Sequence, residues 1–160
     1  MAQMMLMPNL QESDRLDYAR VIISSGQTLL ALLNDILDLS KVEAGKLRLE
    51  PVIFEADQVM HESRLLFGEA AERKGITIES TWTGRVRQRY LGDQHRIRQI
   101  LSNLIGNAVK FTSAGRIDVS GCELSRNETT ALLEFSVSDT GMGISKEAQR
   151  RLFQPFSQAD

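Results

Sequence analysis

HRIRQILSNLIGNAVKFT, residues His95 to Thr112, carries two patterns on one helix. Ile97, Ile100, Leu101, Leu104, Ile105 and Ala108 recur at helical intervals, which predicts an amphipathic helix over Asp93–Lys110 with these side chains facing a core. Gln99, Asn103, Asn107 and Lys110 stand four, four and three apart, so they line another edge of the same helix. Asparagine is a poor helix former, and two on one mid-helix edge call for a reason beyond propensity. A carboxamide oxygen can ligate Mg2+, an ion that keeps waters and phosphate oxygens around it. An ammonium adds a point charge for phosphate. The competing explanation is an ordinary solvated face.

Moving outward, Val52–Phe54 reads as a short strand and Ala56–Arg73 as one helix with Val59, Leu65, Leu66 and Ala70 or Ala71 on its buried side. Lys74-Gly75 ends it, with Gly75 suited to the position just past a helix. Ile76–Thr83 alternates like a strand, Gly84 turns, and Val86–Leu91 reads as another strand. Beyond the central helix come strands at Gly115–Ser120 and Ala131–Ser138, joined by a turn at Ser125-Arg126-Asn127, then a short helix over Ser145–Leu152. Helices and antiparallel strands mix without regular βαβ alternation, so the fold class is α+β, a sheet with helices layered on one face. Directly after the last strand stands Asp139-Thr140-Gly141-Met142-Gly143-Ile144. Its glycines permit positive φ and a close approach of backbone to ligand. A strand-end aspartate can accept a hydrogen bond from an exocyclic amine such as adenine N6. Alone this turn is a weak signal; following the asparagine-bearing helix, it is far more specific.

The N-terminal part has a different period. Tyr18, Ile22, Ser25, Leu29, Leu32, Ile36 and Leu39 alternate four and three apart, the repeat of a helix that faces a partner helix. Leu30, Leu33 and Leu37 widen the stripe, while Asp35, Asp38, Lys41 and Glu43 fall mostly off it. Ser13 or Asp14 is the expected N-cap, Gly45 lies near the C-terminal end, and Pro8-Asn9 forms a turn that makes Met1–Met7 the stump of a preceding antiparallel helix. This predicts residues 1–47 as part of a helical hairpin and 48–160 as an α/β domain.

Of the 160 residues, 42% are apolar and 25% charged, with a net charge of −2. That balance provides no electrostatic footprint for nucleic acid. Cys122, the single cysteine, suits a reducing compartment, and no uninterrupted apolar run approaches the ~20 residues of a membrane span.

Four blocks together resemble the sensor histidine kinases. HRIRQILSNLIGNAVKFT is similar to their N box, DTGMGI (Asp139–Ile144) to their G1 box, and LFQPFSQAD (Leu152–Asp160) to their F box. LLNDILDLSKVEAGKLRLE (Leu32–Glu50) resembles the end of the second dimerisation helix and the linker of hybrid kinases. The resemblance implies a long dimerisation helix followed by an incomplete Bergerat-type α/β sandwich with a mixed sheet, binding ATP and Mg2+. Residue by residue, it implies Asn107 as the Mg2+ ligand, Asn103 beside the phosphates and Lys110 on phosphate. Asp139 would read the adenine amine, Gly141 and Gly143 would shape the nucleotide wall, and Phe111 would pack near adenine or ribose. Phe153 and Phe156 would anchor the lid or simply pack in the core.

The implied reaction moves the ATP γ-phosphoryl group to a histidine and on to a receiver aspartate. The implied partners are a second copy, paired through the helix around residues 14–42, and a receiver domain, attached or separate. The implied setting is cytoplasmic, in a parent anchored in the inner membrane. The phosphoacceptor histidine, the lid and the second glycine-rich box are expected to lie outside this sequence, leaving the segment alone inactive, with weak or undetectable nucleotide binding. His61-Glu62 imitates the acceptor motif, but Leu66 stands where proline is expected, so His61 reads as a residue of the first α/β-domain helix. His95 reads as an exposed helix-start residue. Two rivals remain: a non-catalytic dimerisation module on a degenerate ATP fold, and a hydrolytic ATPase of the chaperone or topoisomerase kind. Gln99 stands where the latter carry an acidic base, and a carboxamide is a poor base.

Overall fold

A computed structural model describes residues 11–150, so Met1–Met7, Pro8-Asn9, Phe153, Phe156 and the Leu152–Asp160 block lie outside the described residues. The chain divides between Arg48 and Leu49 into two compact units.

The first unit is helix α1, Glu12–Glu43. Its N-cap is Gln11 rather than Ser13 or Asp14, and it makes no side-chain capping bond. The acidic side chains of Glu12 and Asp14 instead sit in the first turn, where they face the positive end of the helix dipole. At the other end Ala44 is the C-cap and Gly45 follows with φ 62°. Ile22, Leu29, Leu32, Ile36 and Leu39 are all exposed. By length and composition alone α1 is apolar enough to cross a membrane. Ser24, Ser25, Gln27 and Asn34 nevertheless break every apolar run in it.

The second unit holds β1 (Val52–Glu55), α2 (Ala56–Leu65), α3 (Gly68–Glu72), β2 (Ile76–Trp82), β3 (Arg89–Gly92), α4 (Gln94–Phe111), β4 (Gly115–Arg126), β5 (Ala131–Asp139) and α5 (Lys146–Gln149). The strands form two sheets. β1 and β3 make an antiparallel ribbon; β4 lies between β2, to which it is parallel, and β5, to which it is antiparallel. The mixed sheet with α2 and α4 packed on it is the expected α/β sandwich. Alternation decides which face is covered: Ile76 and Ile78 of β2 and Ile117 and Val119 of β4 are buried, while Thr77, Glu79, Arg116 and Ser120 are not. They meet Val59 and Met60 of α2 and Leu101, Ile105, Ala108 and Val109 of α4 in one core. Burying each of the larger side chains contributes about 1.5–3 kcal/mol. Glu62 of α2 accepts from Arg98 of α4 at 2.6 Å, adding a charge-assisted tie between the two helices.

Several boundaries differ from expectation. The helix read as Ala56–Arg73 breaks at Leu66-Phe67, because Phe67 turns its ring onto α4, 3.3 Å from where a β-carbon on Gly106 would stand. That turn leaves Leu65 and Leu66 exposed. On α4, Ile100 and Leu104 are exposed, and Val109 takes the core position instead. Residues 86–88 are not strand, Arg87 having φ 58°. β4 runs on to Arg126 through an irregularity between Glu123 and Ser125, and the hairpin turn falls at residues 127–130. There Asn127 Oδ1 accepts the backbone N–H groups of Thr129 and Thr130 at 2.9 and 2.7 Å.

Candidate functional site

α4 is pinned at both ends. At its start Asp93 is the N-cap: its carboxylate accepts Glu50 N–H and Arg96 N–H, each at 3.0 Å. Those two bonds, the one from Glu50 first, hold the Asp93 carboxyl below the usual carboxylate range. At its end Thr112 N–H donates to Ala108 O at 3.0 Å, and Lys74 Nζ reaches Val109 O at 2.7 Å. His95 stands exposed in the first turn, and His61 is exposed on α2.

Between these anchors the polar edge is open. Asn103, Asn107 and Lys110 are exposed, and neither carboxamide is engaged in a hydrogen bond among the described residues. Gln99, in contrast, is half-buried and accepts from Arg96 Nη1 at 2.8 Å. Phe111 is 44% exposed, and Lys110 Nζ lies 4.9 Å from its ring centroid. The helical rise puts Asn107 and Asn103 ~6 Å and ~12 Å back from Phe111 along the axis.

The turn after β5 meets the end of this helix. Asp139 Oδ1 accepts Gly141 N–H at 2.8 Å, which commits one carboxylate oxygen and leaves the other without a hydrogen bond among the described residues. Thr140 clasps the start of β4: its N–H donates to Arg116 O at 3.2 Å, and its hydroxyl accepts Arg116 N–H at 3.1 Å. Gly141 sits so close to α4 that an added β-carbon would stand 2.7 Å from both Phe111 O and Asp139 Oδ1. Only glycine permits that approach. Gly143 has φ 69° and open space around it. The structure thus brings Gly141, Asp139 and Phe111 into one junction, with Lys110, Asn107 and Asn103 running back from it. Gly143 stands clear of α4.

Residues 92–160 match the family described as histidine kinase-, DNA gyrase B- and HSP90-like ATPase. The chain is 40% identical over 144 residues to the signal transduction histidine-protein kinase BarA of Escherichia coli, covering 90% of this chain and 16% of that protein. It is 36% identical over 162 residues to hybrid signal transduction histidine kinase L of Dictyostelium discoideum, covering the whole of this chain and 9% of that one. The crystal structure of full-length ShkA in complex with AMPPNP superposes with a TM-score of 0.75 at 31% identity, covering 98% of this chain and 33% of that one. This chain is a sensor histidine kinase segment. It spans only a small part of the length of its curated relatives.

Within this kinase segment, three residues that organise the site have partners the sequence does not reveal. Thr140 holds the turn through Arg116, 24 residues earlier. Lys74 reaches α4 across 35 residues. Asp93 ties α4 to Glu50 across 43 residues. Of the three, only Asp93 left a readable signal, an aspartate directly before an apolar-periodic run.

Proposed function

We propose that this segment binds ATP between the polar edge of α4 and the Asp139–Gly143 turn, and that the intact kinase passes the γ-phosphoryl group to a histidine and then to a receiver aspartate. The observation that carries the reading is the junction of Gly141 with the Phe111 carbonyl. It sets a carboxylate suited to an exocyclic amine beside an open edge of two carboxamides and an ammonium.

Each residue then has a task. Asp139, oriented by Gly141 N–H, accepts the adenine amino group through its other carboxylate oxygen. Phe111 offers an exposed aromatic face to the base or ribose, and Lys110 places its charge toward phosphate. The donor set fits Mg2+: Asn107 supplies a neutral, unengaged oxygen, suited to an ion that retains waters and phosphate oxygens, with Asn103 one turn away beside the phosphates. Bound Mg2+ offsets phosphate charge; the chain's own residues supply position and field, the dominant contributions in phosphoryl transfer. Transfer breaks the bond from the γ-phosphorus to the bridging oxygen, forms a phosphorus–nitrogen bond and releases the imidazole proton. Neither His61 on α2 nor His95 on α4 serves as that acceptor in this reading, which places it on another segment of the intact protein.

The stripe on α1 is assigned to pairing with a second copy, and a receiver domain accepts the phosphoryl group. We assign the segment to the cytoplasmic side of a membrane-anchored parent. An NMR titration of the 160-residue chain with ADP and Mg2+ tests the site and tolerates weak binding. Shifts are expected at Asn103, Asn107, Lys110, Phe111 and 139–143, and their loss in Asn107→Ala. Shifts confined to other surfaces would refute the assignment.

A further inference from the structure

The last carbonyls of an α-helix have no donor within the helix. In α4 their destinations can be traced one by one. Ala108 O receives Thr112 N–H at 3.0 Å. Val109 O, Lys110 O and Thr112 O converge on Nζ of Lys74 at 2.7, 3.2 and 3.4 Å. The carbonyl left over is that of Phe111, the one against which Gly141 is packed. One ammonium, with its three donors, therefore gathers the carbonyls on either side of the Phe111–Gly141 contact. Its positive charge also meets the negative end of the α4 dipole.

Lys74 is itself held. It stands between α3 and β2, where Lys74 N–H donates to Ala71 O at 3.0 Å and Gly75 N–H to Glu72 O at 2.9 Å. Gly75 then turns the chain with φ 67° into Ile76, which is buried. The ammonium thus projects from a fixed turn rather than a free loop.

We propose that Lys74 is a positioning residue for the nucleotide site. It sets the C-terminal turn of α4, and through the Phe111 carbonyl it sets the spacing between the Asn107–Lys110 edge and the Asp139–Gly143 turn. It touches no nucleotide. The proposal rests on the site assigned above. Removing the ammonium leaves three helix-end carbonyls without their donor, so the last turn relaxes and Lys110, Phe111 and Gly141 lose register together.

The test compares ADP–Mg2+ affinity by NMR titration for the 160-residue chain and its Lys74→Met, Lys74→Arg and Asn107→Ala variants. Lys74→Gln, which keeps an N–H donor, replaces Lys74→Met if that variant does not fold. Asn127→Ala, in the distant β4–β5 hairpin, serves as the variant that lowers stability without touching the site. The expected result is affinity weakened by about fivefold or more in Lys74→Met, the lower end of coupling between separate sites. Lys74→Arg recovers part of it, and Asn127→Ala matches the unsubstituted chain. Resonances of residues 109–112 and 139–141 shift in Lys74→Met before nucleotide is added. Unchanged affinity in Lys74→Met alongside lost binding in Asn107→Ala overturns the role of Lys74 and leaves the site standing. Unchanged affinity in both overturns the site and the Lys74 proposal with it, and resonances of residues 139–141 that stay in place in nucleotide-free Lys74→Met overturn the Lys74 proposal whether or not the chain binds ADP.

Discussion

Asp139 commits one carboxylate oxygen to its own turn, through Gly141 N–H, and leaves the other as an acceptor. Asp139→Asn keeps the shape and puts an NH2 donor where that acceptor stood, so preference should move from an adenine amine toward a guanine carbonyl. Parallel titrations with ADP and GDP read this out; an unchanged preference would remove Asp139 from base recognition. Gly141 makes the sharper steric prediction. The atom a β-carbon would strike, Phe111 O, is backbone and cannot swing aside. Gly141→Ala should cost about 1–3 kcal/mol of stability, measured by urea denaturation, as overpacking does. It should also disturb nucleotide shifts at Phe111. The candidate residues were legible in the sequence because Asn103, Asn107 and Lys110 stand at helical spacing and Asp139 opens a glycine turn at a strand end. The supports were not: nothing local to Lys74 or Thr140 announces a partner 35 or 24 residues away.

The order of helices and strands followed from periodicity, and the misreadings have local causes. The Ala56–Arg73 pattern stays helical in sequence through Leu65-Leu66-Phe67, and the break comes from the ring of Phe67 finding α4. Gly68 was the one local hint. Ile100 and Leu104 satisfy the spacing of a core face yet stay exposed, since spacing shows a face but not how much of it is covered. The β4–β5 hairpin supplies two predictions. Asn127→Ala removes the acceptor for two turn N–H groups and should cost about 1–2 kcal/mol in chemical denaturation. Along β4, Arg126 grips Glu123 with two bonds of 2.8 and 2.7 Å, and Tyr90 donates to the same carboxylate at 2.8 Å. The Arg126 guanidinium first, then the Tyr90 hydroxyl, pull the Glu123 carboxyl down from 4.5 to about 2. A depressed carboxyl stabilises the fold fully above its unfolded pKa and loses that contribution as pH falls toward its folded value. The melting-temperature gap between the unsubstituted chain and Glu123→Gln should therefore hold at neutral pH and close between pH 4.5 and about 2. A gap that widens on acidification would contradict the ion-pair account.

At the scale of the whole molecule the two units pose different problems. The second closes its own core, and the first exposes its apolar stripe along α1. A stripe with a 3.5-residue repeat is satisfied by another helix. Leu32→Glu with Ile36→Glu should give a monomer by light scattering while the resonances of 49–150 stay in place. A dimer that survives both changes would move the pairing surface elsewhere. The α/β sandwich was legible because four sequence blocks occur in order; the division into a β1–β3 ribbon and a β2–β4–β5 sheet was not, since strand pairing is non-local and no residue on β1 names β3 as its partner. The sharing of one nucleotide by α4 and the Asp139 turn, with the metal on the asparagine edge, is the proposal on which the residue roles depend. It is tested most directly by substituting Mn2+ for Mg2+ in the ADP complex of this chain and mapping paramagnetic broadening. The strongest broadening is expected at the Asn107 side chain, decreasing through Asn103 and Lys110, and appearing only when ADP is present. Broadening centred away from Asn107, or equally strong without nucleotide, would contradict it.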